Sequence, residues 1–129
     1  MSIDYTTLLG LTPGIQVAKA DYSFARDGGA TGYNSINAQI IPDGSLILGK
    51  TTLTTVAITF ATTGAIAPRI QGHSLGDVDP TLNERVTEWY TGDTAVVTTA
   101  DVAPQVWINN SAITAGAFTL WVYYLPAAG

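Results

Sequence analysis

Phe118-Thr119-Leu120-Trp121-Val122-Tyr123-Tyr124-Leu125 is the stretch on which the fold class turns. Aromatic and β-branched residues favour a pleated strand, and side chains along a strand point alternately to its two faces. Phe118, Leu120, Val122 and Tyr124 therefore share one face, while Trp121, Tyr123 and Leu125 share the other. Both faces are apolar. A strand of this kind needs cover on both sides, either from a second sheet and a loop or from another subunit.

Upstream, the same residue types recur in short runs separated by Gly, Pro, Asn and Asp, which is the pattern of strands and turns. Strands are predicted over 15–24, 36–41, 45–48, 53–62, 65–70, 85–90, 95–99, 105–109 and 117–125. Turn chemistry lies between them at Asp27-Gly28-Gly29, Pro42-Asp43-Gly44, Thr63-Gly64, Thr91-Gly92-Asp93 and Thr114-Ala115-Gly116. Residues 40–48 read as a hairpin about Pro42-Asp43-Gly44. In the run 53–60, Val56, Ile58 and Phe60 fall on one side with Thr54, and Thr55 and Thr59 lie opposite. One segment stays open: Asp79-Pro80 with Leu82, Val86 and Trp89 has helical spacing, with Asp79 at the N-cap, and competes with a strand starting at Arg85. Eight or nine short strands predict an all-β antiparallel sandwich over 15–129, the jelly roll included. Residues 1–14 lack sustained periodicity and read as an arm that orders only against a neighbour, through Ile3, Tyr5, Leu8 and Leu9.

Composition narrows the function. A length of 129 residues suits one domain with its own core, and the absence of cysteine removes disulfides and thiolate zinc sites. Only 12% of residues are charged, about half the usual share of roughly 25%. With Lys+Arg 5 against Asp+Glu 10, no basic stripe is available to displace counterions from a phosphate backbone, so neither nucleic acid nor an anionic membrane is an expected partner. Apolar runs are far shorter than the ~20 residues of a membrane-spanning helix. Residues 1–11 show neither a basic n-region nor a continuous apolar core, so no secretory signal is expected. No repeat of fixed period occurs.

Candidate catalytic groups each have a plainer reading. His73, Ser74 and Asp77 supply the residue types of a hydrolytic triad, yet neighbours on one extended loop diverge, and no Gly-x-Ser-x-Gly elbow is present. Asp77 and Asp79 offer alternating carboxylates to Ca²⁺ without the spacing of a known calcium loop; a turn capped by Asp79 is the alternative. Gly28, Gly29 and Gly32 lack the Lys and helix of a phosphate cradle and suit a hairpin loop. Glu84 and Glu88 share a helical face, which is better read as solvated than as an acid–base pair. The sequence thus predicts no enzyme, cofactor or metal. The aromatics Trp89, Tyr90, Trp107, Trp121, Tyr123 and Tyr124 carry more information, because such side chains dominate cores and interfaces. Trp89, Trp121, Tyr123 and Leu125 are the candidate contact residues of the domain.

The run Gln-Val-Trp-Ile-Asn-Asn-Ser-Ala-Ile-Thr-Ala-Gly-Ala-Phe-Thr-Leu-Trp-Val-Tyr-Tyr-Leu, residues 105–125, resembles the C-terminal hairpin of the small head decoration, or cement, proteins of tailed bacteriophages. The specific match is confined to this hairpin; the first hundred residues share the family's low charge and its Thr/Ala/Gly-rich character. The resemblance implies a non-enzymatic homotrimer on the outer surface of the virion, clamping neighbouring major capsid proteins, with the last strand as a packing element. Two rival readings stand beside it: a carbohydrate-binding module using exposed aromatics and a calcium at Asp77 or Asp79, and a β-rich domain of a tail fibre or baseplate.

Overall fold

A computed structural model describes residues 14–90 and 96–127. Ten strands and one helical turn follow in order: β1 (Gln16–Ser23), α1 (Phe24–Asp27), β2 (Gly32–Ser35), β3 (Asn37–Ala38), β4 (Leu46–Phe60), β5 (Ala65–Ile70), β6 (His73–Ser74), β7 (Arg85–Trp89), β8 (Val96–Val97), β9 (Gln105–Asn109) and β10 (Ile113–Leu125). They form two antiparallel sheets. The larger runs β3-β1-β10-β4-β7, with β8 paired to the start of β4, and the smaller runs β2-β9-β5-β6. This is the predicted all-β sandwich.

The core lies between the sheets and follows the alternation. From the larger sheet, Ala18, Ala20, Tyr22, Ile47, Ile58, Phe118, Leu120 and Val122 point inward; Ile66, Ile70, Val106 and Ile108 answer from the smaller one. Tyr22 packs against Phe118 with ring centroids 5.7 Å apart, and its hydroxyl donates to the Gly28 carbonyl at 2.6 Å. Burial first, and then the charge of Asp27, pushes the Tyr22 hydroxyl up to about 12. Pro68 sits inside β5 without breaking its ladder. The carbonyls of Ile66 and Pro68 accept from Val78 and Leu75 of a loop, so the missing N–H of Pro68 faces that loop and not β9.

Several local expectations are corrected by tertiary pairing. The two strands predicted over 45–48 and 53–62 merge into one, β4, which ends at Phe60, because β10 pairs with it from Phe60 to Leu46 and so carries Gly49-Lys50-Thr51-Thr52 through as strand. Thr114-Ala115-Gly116 is no turn; it lies inside β10, where register shifts form bulges, and Gly116 (φ +137°) lets the backbone press against Ile58. The chain reverses at Asn110 instead, which adopts φ +68°. These bulges rotate the far end of β4, so Val56 is 51% exposed and no longer shares the inner face with Ile58. Residues 40–48 make the predicted turn but no hairpin, since Ile41 bridges to Val102 and Gly44 N–H bonds to the Thr98 carbonyl. At 85–89 the strand wins over the helix, placing Glu84 and Glu88 off any common helical face: Glu84 is exposed and Glu88 stands opposite Lys50. The one helical turn falls at α1, where the Asp27 carboxylate accepts the Ser23 N–H at 3.0 Å and pairs with Arg26. Arg26 first, then the Ser23 N–H, outweighs burial and holds that carboxyl below its ordinary range.

Candidate functional site

The outer face of the larger sheet is assembled by strand register. Residues directly opposite one another on paired strands share a face, so the pairings set side chains in rows: Val17, Tyr123, Gly49 and Trp89 in one, Lys19, Trp121, Thr51 and Thr87 in the next, Asp21, Thr119, Leu53 and Arg85 in the third. Beyond Tyr123 a further row sets Leu125, Leu46 and Val97 side by side.

Gly49 is the reason the aromatics meet. A Cβ there would lie 2.6 Å from the Trp89 ring, so only glycine lets Trp89 lie flat across β4. Trp89 and Tyr123 stack over it with centroids 5.1 Å apart and planes 24° from parallel. The Tyr123 hydroxyl then donates to Thr51 Oγ1 at 2.8 Å, and Thr51 Oγ1 shares a 2.9 Å bond with Thr87 Oγ1. The Arg85 guanidinium lies 5.8 Å from the Trp121 ring centre, a cation–π contact. The face is therefore held by its own contacts before any partner arrives. It remains open: Trp89 is 62% exposed, Val17 47% and Val97 56%, while Trp121, Tyr123 and Leu125 are half-buried.

Of the predicted contact residues, Trp89, Trp121, Tyr123 and Leu125 are thus brought to one face. Ile3, Tyr5, Leu8 and Leu9 lie outside the described residues. Val17, Arg85 and the Gly49 platform escaped the sequence reading. A glycine inside a strand pattern signals a close approach, but which ring approaches depends on register. Tyr90 and Tyr124 turn toward the core, the Tyr90 hydroxyl donating to the Leu75 carbonyl at 2.7 Å.

Trp107 joins a second cluster on the outer face of the smaller sheet. It meets Tyr33 edge-on with centroids 4.5 Å apart, and the Arg69 guanidinium stands 5.0 Å from the Trp107 ring centre and 3.3 Å from the Tyr33 hydroxyl. The other motifs resolve into local structure. His73 and Ser74 form the short, exposed β6, and Ser74 Oγ accepts the Gly76 N–H. Asp79 Oδ1 accepts the Thr81 N–H and caps a turn, and no group of three or more His, Cys, Asp or Glu converges as a metal site among the described residues.

No family model matches the chain, and no curated protein gives a significant sequence match. Its fold is similar to a chain of the cyanophage Pam1 capsid asymmetric unit, with TM-score 0.58 and 19% identity over 88% of this chain and 86% of that one. It is similar also to a chain of the acidic stable capsid structure of Helicobacter pylori bacteriophage KHP30, with TM-score 0.53 and 15% identity over 88% and 89%. Across nearly its whole length, then, this chain is an all-β sandwich of the fold seen in chains of two phage capsids.

Proposed function

We propose that the protein is a structural component of a bacteriophage shell, a cement or decoration protein that binds the outside of the capsid as a homotrimer and ties neighbouring major capsid proteins together. The observation that carries this reading is the outer face of the larger sheet: an aromatic and aliphatic surface, uncharged in the rows of Tyr123 and Leu125, prearranged by Gly49 and left open at Trp89. Such composition suits the centre of a protein interface, where aromatics are enriched and charges depleted. The near full-length likeness to chains of two phage capsid structures supports a shell component, and the hairpin over 105–125 supports the decoration role. Residues 1–14 serve in this reading as an arm reaching onto adjacent capsomers.

Mechanically the protein acts by mass action. A ligand that binds only the closed lattice stabilises it by an amount that grows with the logarithm of its concentration over Kd. Many modest contacts on one particle add through avidity.

Trp121→Ser combined with Tyr123→Ser is expected to leave the sandwich folded and to shift sedimentation toward smaller species, with shell occupancy reduced at least about tenfold, since two anchors of roughly 1–2 kcal/mol each are removed. Full occupancy by the double variant would remove this face from the interface. Deleting residues 1–11 should keep the thermal midpoint and weaken shell binding; unchanged occupancy would exclude the arm. Mass spectrometry of purified virions tests the location, with hundreds of copies expected for a shell protein and a handful for a tail domain. The Tyr33–Trp107–Arg69 cluster, open to solvent at Tyr33, favours one second reading, a sugar-stacking platform, which glycan-array binding lost on Trp107→Ala would support.

A further inference from the structure

The free edge of the larger sheet offers backbone groups that its outer face does not use. Among the described residues, β7 ends the sheet: it pairs with β4 on one side and with no strand on the other. The parity of its ladder follows from the flanking bonds, in which Thr54 N–H donates to the Glu84 carbonyl at 3.1 Å and Tyr90 N–H to the Leu48 carbonyl at 2.8 Å. In an antiparallel pair the residues that bond to the partner alternate with those that do not. Val86 and Glu88 therefore bond to β4, and the N–H and C=O groups of Arg85, Thr87 and Trp89 point away from the sheet. The side chains of these same three residues are exposed.

We propose that β7 pairs antiparallel with β7 of a second copy of this chain, about a twofold axis at Thr87, joining two sandwiches into one continuous sheet. Self-complementarity selects this occupant and this register. Thr87 then faces Thr87 of the second copy, and Arg85 faces Trp89 of the second copy, so every outward N–H and C=O of the three residues gains a partner. The guanidinium, which already rests near one ring at Trp121, meets the open side of another at Trp89, which is 62% exposed. Glu88 faces Val86 of the second copy, so no like charges are opposed. A twofold axis at Arg85 would instead set guanidinium against guanidinium, which is unfavourable. The edge is independent of the shell reading: this pairing forms in solution whether or not the outer face covers a capsid.

The chain has no cysteine, so Thr87→Cys introduces a single thiol. Opposed residues of a bonded antiparallel pair stand about 5.5 Å apart at Cα, within disulfide range. Mild oxidation of the full-length variant should give a disulfide-linked pair in large excess over that from Val56→Cys, an exposed control away from the edge. Thr87→Pro removes an outward N–H and the hydroxyl bonded to Thr51 Oγ1, and it should abolish the β7-linked assembly in sedimentation, with association through the outer face retained, while the thermal midpoint moves by only a few degrees. Cross-linking of Thr87→Cys no faster than the control, or sedimentation of a folded Thr87→Pro identical to that of the parent, overturns the proposal. If Thr87→Pro fails to fold, the cysteine result decides alone. Failure of the shell reading would appear as lost capsid occupancy with this cross-link intact.

Discussion

Phe118→Ala is expected to lower stability by about 3–5 kcal/mol. Phe118 is 1% exposed at the middle of β10, which pairs with β1 on one side and β4 on the other. Its ring meets Tyr22, whose hydroxyl ties β1 to the loop after α1 through the Gly28 carbonyl. Truncation removes the transfer energy of the ring and leaves a void that two sheets, fixed by their own ladders, close only partly. For a domain of this size each kcal/mol corresponds to a midpoint shift of roughly 3–5 °C. A melt should therefore fall by ~10–20 °C, with Phe118→Leu losing less than half as much. A shift below ~5 °C for the alanine variant would mean that the core at β10 is not the one described.

Lys50→Met should act in the opposite direction, raising stability by about 1–3 kcal/mol. Lys50 is 0% exposed on the inner face of β4, and its Nζ finds no hydrogen-bond partner among the described residues; the Thr52 hydroxyl beside it finds none either. Burial holds the Lys50 ammonium below its ordinary range, with Glu88 and then Asp77 opposing the shift only in part. Methionine keeps the unbranched stem and removes the charge. The sign of the pH dependence follows from linkage. A base whose folded pKa is depressed contributes stability fully above its unfolded pKa of about 10.4, and that stability is lost as pH falls through the folded value. The advantage of the methionine variant should therefore grow as pH is lowered from ~10 and level off below the folded pKa. Denaturant midpoints across that range check it. A methionine variant less stable than the parent at pH 7 would show that Glu88 or Asp77 compensates the ammonium, and Glu88→Gln would then be the damaging change.

The two residues show how far a sequence can be read. Phe118 is legible because its alternation with Leu120 and Val122 needs no knowledge of neighbours. Lys50 is not, since Gly49-Lys50-Thr51-Thr52 looks like a polar break, and only full-length pairing with β10 turns it into the middle of a buried strand. Helical spacing at Leu82, Val86 and Trp89 failed for the same reason: the hydrogen bonds that β4 offers to residues 85–89 exceed what one helical turn can supply. The contact face was half legible. Trp121, Tyr123 and Leu125 share a side by periodicity alone, and Trp89 joined them in the reading only as an aromatic. Their meeting with Trp89 and Val17 about Gly49, and with Arg85 at Trp121, depends on which residues stand opposite one another.

By itself, then, the order of apolar and polar residues determined an all-β sandwich, the inward set of β10, and a surface poor in charge, because strand alternation and turn chemistry act over a few neighbouring residues. Tertiary structure alone decided that two predicted strands are one, that a lysine is buried while Val56 is not, and which aromatics form a common face. Register and bulges are properties of paired strands, set by the cross-strand contacts and by the core that both sheets must close together.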